Sequence, residues 1–351
     1  MEYFAFQWHI TDVCDQRCEH CYIFSEGHPR LVEMPYERCM AVIDTCVAMC
    51  ERTHRLPYFY ITGGDPILHT RFWDILGEVH RRGIPFTIMG NPFHLNDEVC
   101  QRLKALGCRK YQLSIDGLRD IHDAIRKPGS FDATLDAIDT IRRAGIHCAV
   151  MTTVSGTNIH QIPDIVDLVV ERHVDIFAFG RYCPTSLAKA VSERTHIEPE
   201  DYRALLETLW QRYQKYRDSD TTFNLKDHLW TLFLYEKGLF KIPEGLDEDT
   251  IYDGCNCANC HITILPTGQV MACRRFDSPV GKLFDNGTDC RVTTSIDDIF
   301  HGEREEYYRQ HEKMEKCSRC ELLRFCRGCP AVAYGYHHSF FAPDPQCWKK
   351  I

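Results

Sequence analysis

Short apolar segments and longer amphipathic segments alternate over residues 1–180. The apolar segments predict six strands, at 3–11, 58–62, 85–89, 110–116, 147–153 and 175–180. The segments between them predict helices, because apolar residues recur there at helical spacing. Strands that alternate with helices are typical of parallel βαβ units, so the pattern predicts an α/β fold with a parallel sheet.

Polar, cysteine-containing or glycine-containing sequences follow these strands at their carboxyl ends. CDQRCEHC (14–21) follows strand one, TGGDP (62–66) follows strand two, SID (114–116) ends strand four and RYCP (181–184) follows strand six. Ligands of parallel α/β sheets bind outside the carboxyl ends of the strands. We therefore expect these sequences to form a single active site.

The remainder of the chain differs in character from this first part. Residues 185–250 are charged and predicted to be helical, most clearly DYRALLETLWQRYQKY (201–216). From 251 to 351 short cysteine-rich segments show little periodicity. We predict three successive parts with the boundaries 1–184, 185–250 and 251–351.

The net charge and the cysteine content exclude several classes of function. The net charge of −9 argues against a nucleic-acid or anionic-membrane surface. No basic, apolar signal segment opens the chain and no apolar run is long enough for a membrane span, so we expect a cytoplasmic protein. In such a protein, 20 cysteines indicate metal binding or catalysis rather than disulfides.

Cys14, Cys18 and Cys21 lie within one short loop. Buried structural thiols are disfavoured by the charged residues between them. Zinc completed by His9 or His20 is an alternative, although zinc-binding cysteine pairs usually have two-residue gaps. An iron–sulphur cluster is favoured, and three thiolates then leave one ligand position unfilled.

The C-x3-C-x2-C spacing, followed by the aromatic Tyr22, resembles the signature of the radical SAM superfamily. The resemblance implies a partial (β/α)6 TIM-type barrel over 1–184 whose three cysteines hold a [4Fe–4S] cluster. S-adenosylmethionine would fill the open position through its amino and carboxylate groups. Its reductive cleavage would release a 5′-deoxyadenosyl radical that abstracts a substrate hydrogen.

Other positions match the same family. Gly63, Gly64 and Asp65 resemble the turn that receives the methionine amino group, with Asp65 where Glu is commoner; a simple tight turn is the alternative. LSIDG (113–117) and the following segment resemble the fourth-strand region of peptide-modifying members. The resemblance then implies that Ser114 and Asp116 face the ribose and the active site, and that Arg126 reaches the cofactor carboxylate. For Asp116, a capping residue is the alternative.

The C-terminal cysteines resemble a SPASM domain, although the gap between Cys326 and Cys329 is two residues rather than three. The resemblance implies two auxiliary [4Fe–4S] clusters, the distal one held by Cys317, Cys320, Cys326 and Cys347. The proximal cluster would take Cys273 and Cys329, Cys257 as first choice, and Cys255 or Cys260. A zinc ribbon is the alternative. Asp277 follows Cys273 and is, with Asp116, a candidate catalytic group, the alternative being an exposed loop residue.

The resemblance to this family implies an oxidoreductase that oxidises or cross-links residues of a ribosomally made, cysteine-containing peptide, for example through a Cys thioether. The expected partners are that peptide or protein, a flavodoxin or ferredoxin-type electron donor, and a separate peptide-recognition protein or the barrel mouth for leader binding. An anaerobic sulphatase-maturating enzyme, which makes formylglycine, is the alternative within the family. A non-catalytic iron–sulphur electron carrier or redox sensor is the alternative outside it.

Overall fold

The computed structural model describes residues 2–24, 31–184, 193–247, 250–285 and 289–351. Its strands are β1 Tyr3–Thr11, β2 Leu56–Gly63, β3 Phe86–Met89, β4 Cys108–Ser114, β5 His147–Val154, β6 Ile176–Arg181, β7 Thr222–Asn224, β8 His261–Ile264, β9 Gln269–Met271 and β10 Pro279–Lys282. Its α-helices are α1 Tyr36–Arg52, α2 Phe72–Arg81, α3 Asp97–Ala105, α4 Arg119–Ile125, α5 Ser130–Arg143, α6 Ile162–Glu171, α7 Pro199–Lys215, α8 Leu229–Glu236, α9 Ile296–Phe300, α10 Glu303–Glu306 and α11 Pro330–His337.

One compact unit comprises Met1–Ser114, Arg126–Ala149 and Cys257–Arg309. Its strands follow the order β10-β9-β8-β1-β2-β3-β4. The strands from β8 to β4 run parallel, whereas β9 pairs antiparallel with both β8 and β10. In β1, Phe4, Phe6, Trp8 and Ile10 are fully buried, and the residues between them point to the opposite face of the sheet. This burial is typical of a parallel sheet covered by helices.

The second compact unit comprises Ile115–Ile125, Val150–Asn256 and Gln310–Ile351. It holds most of β5 together with β6 and β7, which pair with each other in parallel. Helix α6 buries Ile165, Val166 and Val169, a spacing that places them on one helix face. Within the unit, the apolar core includes the buried Trp230, whose ring lies 5.6 Å from the Tyr213 ring.

A buried ion cluster centred on Arg181 lies in this second unit. Arg181 donates to Asp344 Oδ1 and Oδ2 at 2.6 and 2.8 Å, to Asp227 Oδ2 at 2.9 Å and to Gln346 Oε1 at 3.1 Å. Asp344 Oδ2 also accepts from the Cys329 amide at 2.7 Å. The cluster therefore ties the end of β6 to the cysteine-bearing C-terminal segment. The guanidinium beside Asp227 holds the pKa of that carboxyl below its ordinary value, although burial acts in the opposite direction.

The six predicted strands of the first half are confirmed, and strand one has the predicted bounds. Asn96 caps α3, since its Oδ1 accepts from the Val99 amide at 2.9 Å. The short strands β7 to β10 were not predicted, because three or four residues carry too little periodicity. The beginning of the predicted helical bridge, residues 185–192, lies outside the described residues. Among the described helices, none is long and apolar enough to cross a membrane.

Candidate active site

The cysteine loop follows β1 and is held by local and distant hydrogen bonds. The Cys21 amide donates to the Cys18 carbonyl at 3.0 Å, and the Gln16 amide donates to Cys14 Sγ at 3.4 Å. The buried Gln16 side chain donates from Nε2 to Ser130 Oγ at 3.1 Å, at the start of α5. All three thiols are partly exposed and none forms a disulfide, so they are accessible as ligands.

Asn91 joins this loop to the end of β3. Its Nδ2 donates to Cys14 Sγ at 3.1 Å and lies 3.3 Å from Asp15 Oδ1. Burial raises the pKa of Cys14, whereas the Gln16 and Asn91 donors act in the opposite direction. Sequence reasoning missed Asn91. Its position just beyond the third strand was the available signal.

The TGGDP turn packs against the cysteine loop through its backbone. The Gly64 amide donates to the Thr11 carbonyl and the Asp65 amide to the Val13 carbonyl, both at 2.8 Å. A Cβ at Gly64 would overlap the Val13 carbonyl oxygen and lie 2.6 Å from that of Asp12. The positive φ of the turn, +146°, belongs to Gly63 and not to Gly64. Close approach is therefore what requires glycine at 64.

The Asp65 carboxyl is fully buried in this turn. Its Oδ1 accepts from the Asn91 amide at 3.4 Å, and its Oδ2 has no hydrogen-bond partner among the described residues. Burial raises the pKa of Asp65 to about 7. One ligand-type atom from each of Asp65, Asp15 and His94 lies within 4.8 Å of the others. A buried, unpaired carboxyl next to a second carboxyl fits a cationic ligand such as an ammonium group, which would lower this pKa.

Arg126 and Tyr22, both predicted to bind cofactor, lie beside the same loop. Arg126 Nη1 is 3.8 Å from Cys18 Sγ. The Tyr22 ring has the Arg274 guanidinium 4.4 Å from its centroid. Burial raises the pKa of Tyr22, and Arg274 opposes that shift. These contacts give the cysteine loop two cationic side chains within the same compact unit.

The remaining predicted barrel residues are placed differently. The Asp116 carboxylate is fully buried, and its Oδ1 accepts from the Thr153 amide at 2.8 Å. The Asp116 amide donates to His122 Nδ1 at 3.1 Å, and its carbonyl accepts from Asn158 Nδ2 at 2.7 Å. These bonds tie Asp116 to β5 and to Asn158, and its role in the active site stays a prediction. Ser114 is half-buried at the end of β4, and Asp277 is exposed between β9 and β10, as in its loop alternative.

Four of the C-terminal cysteines line one cavity of the second unit. They are Cys317, Cys320, Cys326 and Cys347, the set predicted for the distal cluster, and Cys329 is absent from this lining. Burial, together with the neighbouring Cys347 and Cys320, raises the pKa of Cys317 to about 12. Four thiols around one cavity fit a closed four-ligand cluster better than four separate structural thiols.

The thiol of Cys326 is positioned by the turn that follows it in the sequence. Arg327 and Gly328 both have positive φ, at +59° and +61°, and the Gly328 amide lies 3.5 Å from Cys326 Sγ. Arg327 holds this strained turn by donating to the carbonyls of Asp253, Leu323 and Cys255 at 2.8–3.2 Å. Cys326 Sγ is also 3.2 Å from the His228 carbonyl oxygen. The turn thus aims a backbone donor at the thiol.

The cysteines predicted for the proximal cluster fall in both compact units. Cys257 and Cys260 precede β8, and Cys273 follows β9, all in the first unit. Ser278 fixes the Cys273 backbone, since its hydroxyl accepts from the amide at 3.0 Å and donates to the carbonyl at 2.7 Å. Cys255 and Cys329 lie in the second unit. The assignment of Cys273, Cys329, Cys257 and either Cys255 or Cys260 to one cluster stays a prediction.

Three loop thiols lie beside a buried carboxyl at the carboxyl ends of parallel strands, an arrangement that suits an iron–sulphur cluster next to a cationic ligand. The chain matches the Radical SAM superfamily over residues 8–169 and the SPASM iron-sulfur cluster-binding domain over 255–321. The chain therefore carries a Radical SAM domain followed by a SPASM domain, the domain pair of a radical SAM enzyme. [4Fe–4S] clusters and S-adenosylmethionine are the cofactors of these domains.

Curated relatives match nearly the whole chain. An AdoMet-dependent heme synthase of Nitratidesulfovibrio vulgaris is 26% identical over 98% of this chain and 91% of its own length. The mycofactocin maturase MftC of Mycolicibacterium smegmatis is 25% identical over 97% and 81%, respectively. The chain is thus similar to radical SAM enzymes that act on different substrates.

Solved structures share the fold at lower identity. Streptococcus suis SuiB bound to S-adenosylmethionine aligns with a TM-score of 0.73 and 17% identity, over 99% of this chain and 78% of that one. Native anSMEcpe with bound AdoMet aligns with a TM-score of 0.74 and 16% identity, over 98% and 93%. These likenesses confirm the predicted α/β fold with its SPASM domain.

Asp65→Ala is expected to weaken S-adenosylmethionine binding roughly ten- to hundredfold, because a buried charge-assisted hydrogen bond to the methionine ammonium is lost. Iron content should not change, since the Asp65 side chain binds no thiol. Equilibrium binding of S-adenosylmethionine to the reconstituted variant, with iron counted in the same sample, measures both. Unchanged affinity for S-adenosylmethionine would mean that TGGDP is a simple turn and does not bind the cofactor.

Gly64→Val serves as the contrasting variant. Its side chain would collide with the Val13 and Asp12 carbonyls, immediately before Cys14. We therefore expect this variant to lose both cofactor affinity and iron, whereas Asp65→Ala loses affinity alone. Equal iron in the two variants would contradict the packing of the turn against the cysteine loop.

Cys317→Ala and Cys347→Ala are each expected to lower soluble yield and remove about four of about twelve irons, because cluster ligation contributes folding free energy. Cys290→Ala is the control, since Cys290 lies outside the four-cysteine cavity. Metal analysis by mass spectrometry of the three variants tests this. Stoichiometric zinc with no iron lost in the first two variants would favour the zinc-ribbon alternative.

Proposed function

We propose that this enzyme is a peptide maturase that oxidises or cross-links residues, for example as a Cys thioether, in a ribosomally made, cysteine-containing peptide. The observation that carries the chemistry is the accessible three-thiol loop against the buried Asp65 carboxyl. The peptide substrate is supported by the maturase relative and by the likeness to SuiB, which has been solved with its precursor peptide SuiA.

The residues of this chain have distinct tasks in the proposed reaction. Bound in this site, the cluster and S-adenosylmethionine supply hydrogen-atom abstraction. Cys14, Cys18 and Cys21 would hold the cluster, and Asn91 keeps a donor on the Cys14 sulphur. Asp65 would receive the methionine ammonium, and Arg126 would meet a carboxylate next to Cys18. Because Asp65 is buried, an ammonium contact there would be shielded from water and so strengthened.

The proposal includes partners that the reaction needs. Low-potential electrons would come from a flavodoxin or a ferredoxin-type protein. The leader of the peptide would be bound by a separate recognition protein or at the barrel mouth. None of the 20 cysteines forms a disulfide, which supports action in the reducing cytoplasm.

Haem formation is the second candidate function. It is favoured by the heme synthase relative, which spans 98% of the chain, and by an Fe-coproporphyrin III synthase of Methanosarcina barkeri that is 23% identical over 97%. Formylglycine formation in a sulphatase is supported by fold likeness alone.

The test is a substrate comparison with the anaerobically reconstituted enzyme, S-adenosylmethionine and dithionite. One arm receives the peptide encoded by the neighbouring open reading frame, a second receives iron coproporphyrin III, and a third receives a Cys-containing sulphatase peptide. Formation of 5′-deoxyadenosine and the mass of each substrate are followed by liquid chromatography and mass spectrometry. The Cys14, Cys18, Cys21→Ala variant is the control in every arm.

Peptide-dependent 5′-deoxyadenosine together with loss of hydrogen mass from the peptide would support the maturase. Turnover of iron coproporphyrin alone would transfer the assignment to haem formation, and turnover of the sulphatase peptide alone to formylglycine formation. A protein that binds clusters yet never cleaves S-adenosylmethionine would be an electron carrier or redox sensor.

A further inference from the structure

Gln7 and the buried His9 form a polar pair on β1, on the face opposite Phe6 and Trp8. Gln7 Nε2 is 3.2 Å from His9 Nε2, and His9 is fully buried. An amide nitrogen only donates, so His9 Nε2 accepts and the proton of the neutral imidazole is on Nδ1. Nδ1 has no hydrogen-bond partner among the described residues. His9 therefore presents a buried donor that nothing in the described chain accepts.

Arg274 presents a second such donor from the loop after β9. Its Nε is buried and has no hydrogen-bond partner among the described residues. No ion pair joins its guanidinium to a carboxylate within the described ranges either. Its observed contact is with an aromatic face, since the guanidinium carbon is 4.4 Å from the Tyr22 ring centroid. The Nε–H is therefore a buried donor without an acceptor, which is costly unless a ligand supplies one.

The two donor side chains lie next to the same aromatic ring, that of Tyr22. The His9 ring centroid is 6.2 Å from that of Tyr22, and Arg274 packs on the same ring. Burial and then the Arg274 charge lower the pKa of His9 well below its ordinary value, which keeps the imidazole neutral. Tyr22 directly follows Cys21, so the pair lies beside the cysteine loop.

We propose that Arg274 and His9 bind a carboxylate of the substrate next to the cysteine loop. A guanidinium matches the planar, two-oxygen geometry of a carboxylate, and the His9 Nδ1–H adds one further donor. A single positive charge beside a neutral imidazole suits a monoanion better than a phosphate dianion. The inference rests on the proposed function for the substrate, and it restricts that substrate to one with a carboxylate near the reacting carbon.

The cofactor also has a carboxylate, so the experiment distinguishes the two sources. Equilibrium dialysis with radiolabelled 3-phenylpropionate and its amide, 3-phenylpropionamide, is performed on the reconstituted enzyme with S-adenosylmethionine present. Affinity for S-adenosylmethionine is measured separately on the same preparations. The variants are Arg274→Gln, the conservative Arg274→Lys, and His9→Gln, and Arg275→Gln is the control on the same loop.

The wild-type enzyme and Arg275→Gln should bind the carboxylate at least tenfold more tightly than the amide. Arg274→Gln and His9→Gln should lose that preference, Arg274→Lys should retain part of it, and S-adenosylmethionine affinity should not change. Equal binding of acid and amide by the wild type overturns the proposal. So does a tenfold loss of S-adenosylmethionine affinity in Arg274→Lys, which would assign the site to the cofactor carboxylate. Failure of every peptide with the acid preference intact would reject the maturase function and leave the carboxylate site standing.

Discussion

Simultaneous replacement of Cys14, Cys18 and Cys21 by alanine is expected to abolish 5′-deoxyadenosine formation and remove about four of about twelve irons. The three partly exposed thiols are the ligands of the proposed cofactor cluster, and the variant leaves no thiol in the loop. The auxiliary irons should stay, because none of their proposed cysteine ligands lies in the 14–21 loop. Iron counting and chromatography on anaerobic preparations measure both effects.

A triple variant of buried cysteines provides the matched control. Cys46, Cys100 and Cys148 are fully buried on α1, α3 and β5, where burial raises the thiol pKa of Cys46 and of Cys100. Their replacement by alanine should retain all iron and measurable cofactor cleavage, at some cost in stability from lost packing. If the loop variant still produced 5′-deoxyadenosine, or if the control variant lost four irons, the assignment of the catalytic cluster would be wrong.

Much of the first compact unit was predictable because its signals are local. Hydrophobic periodicity gave the strands, and the rule that ligands bind at their carboxyl ends placed TGGDP beside the cysteine loop. The contact of the Gly64 amide with the Thr11 carbonyl agrees with that expectation. The same rule applied to the end of β3 would have found Asn91, but a single polar residue after a strand usually indicates a loop.

Other features depend on pairings that no local pattern contains. Arg274 reaches Tyr22 only because β8 and β9 extend the sheet beyond β1, and three- or four-residue strands are too short to predict. Asp116 has a sequence context that suits either an active-site group or a cap. Its environment is set by the Thr153 amide, which donates to its carboxylate, and by the Asn158 side chain, which donates to its carbonyl. Both residues lie far along the chain.

The buried ion pairs of Arg181 likewise could not be predicted from a local sequence pattern. In sequence it is an arginine after a strand, yet it is about 1% exposed and pairs with Asp344, 163 residues away. Arg181→Met would leave Asp227 and Asp344 buried without their cation. We expect the free energy of unfolding of the anaerobic protein to fall by about 3–5 kcal/mol, because removing one partner of a buried ion cluster leaves uncompensated charge.

Arg203→Met is the control for this change, since Arg203 pairs with Glu236 at 3.1 Å in the same unit while its side chain is 54% exposed. An exposed pair of this kind contributes about 0–1 kcal/mol, so the urea midpoint of this variant should stay near that of the wild type. Arg181→Met should also lose auxiliary iron, because Asp344 accepts the Cys329 amide and its carbonyl accepts the Cys347 amide at 3.0 Å. Similar midpoints and equal iron in the two variants would mean that the Arg181 cluster neither stabilises the second unit nor positions its cysteines.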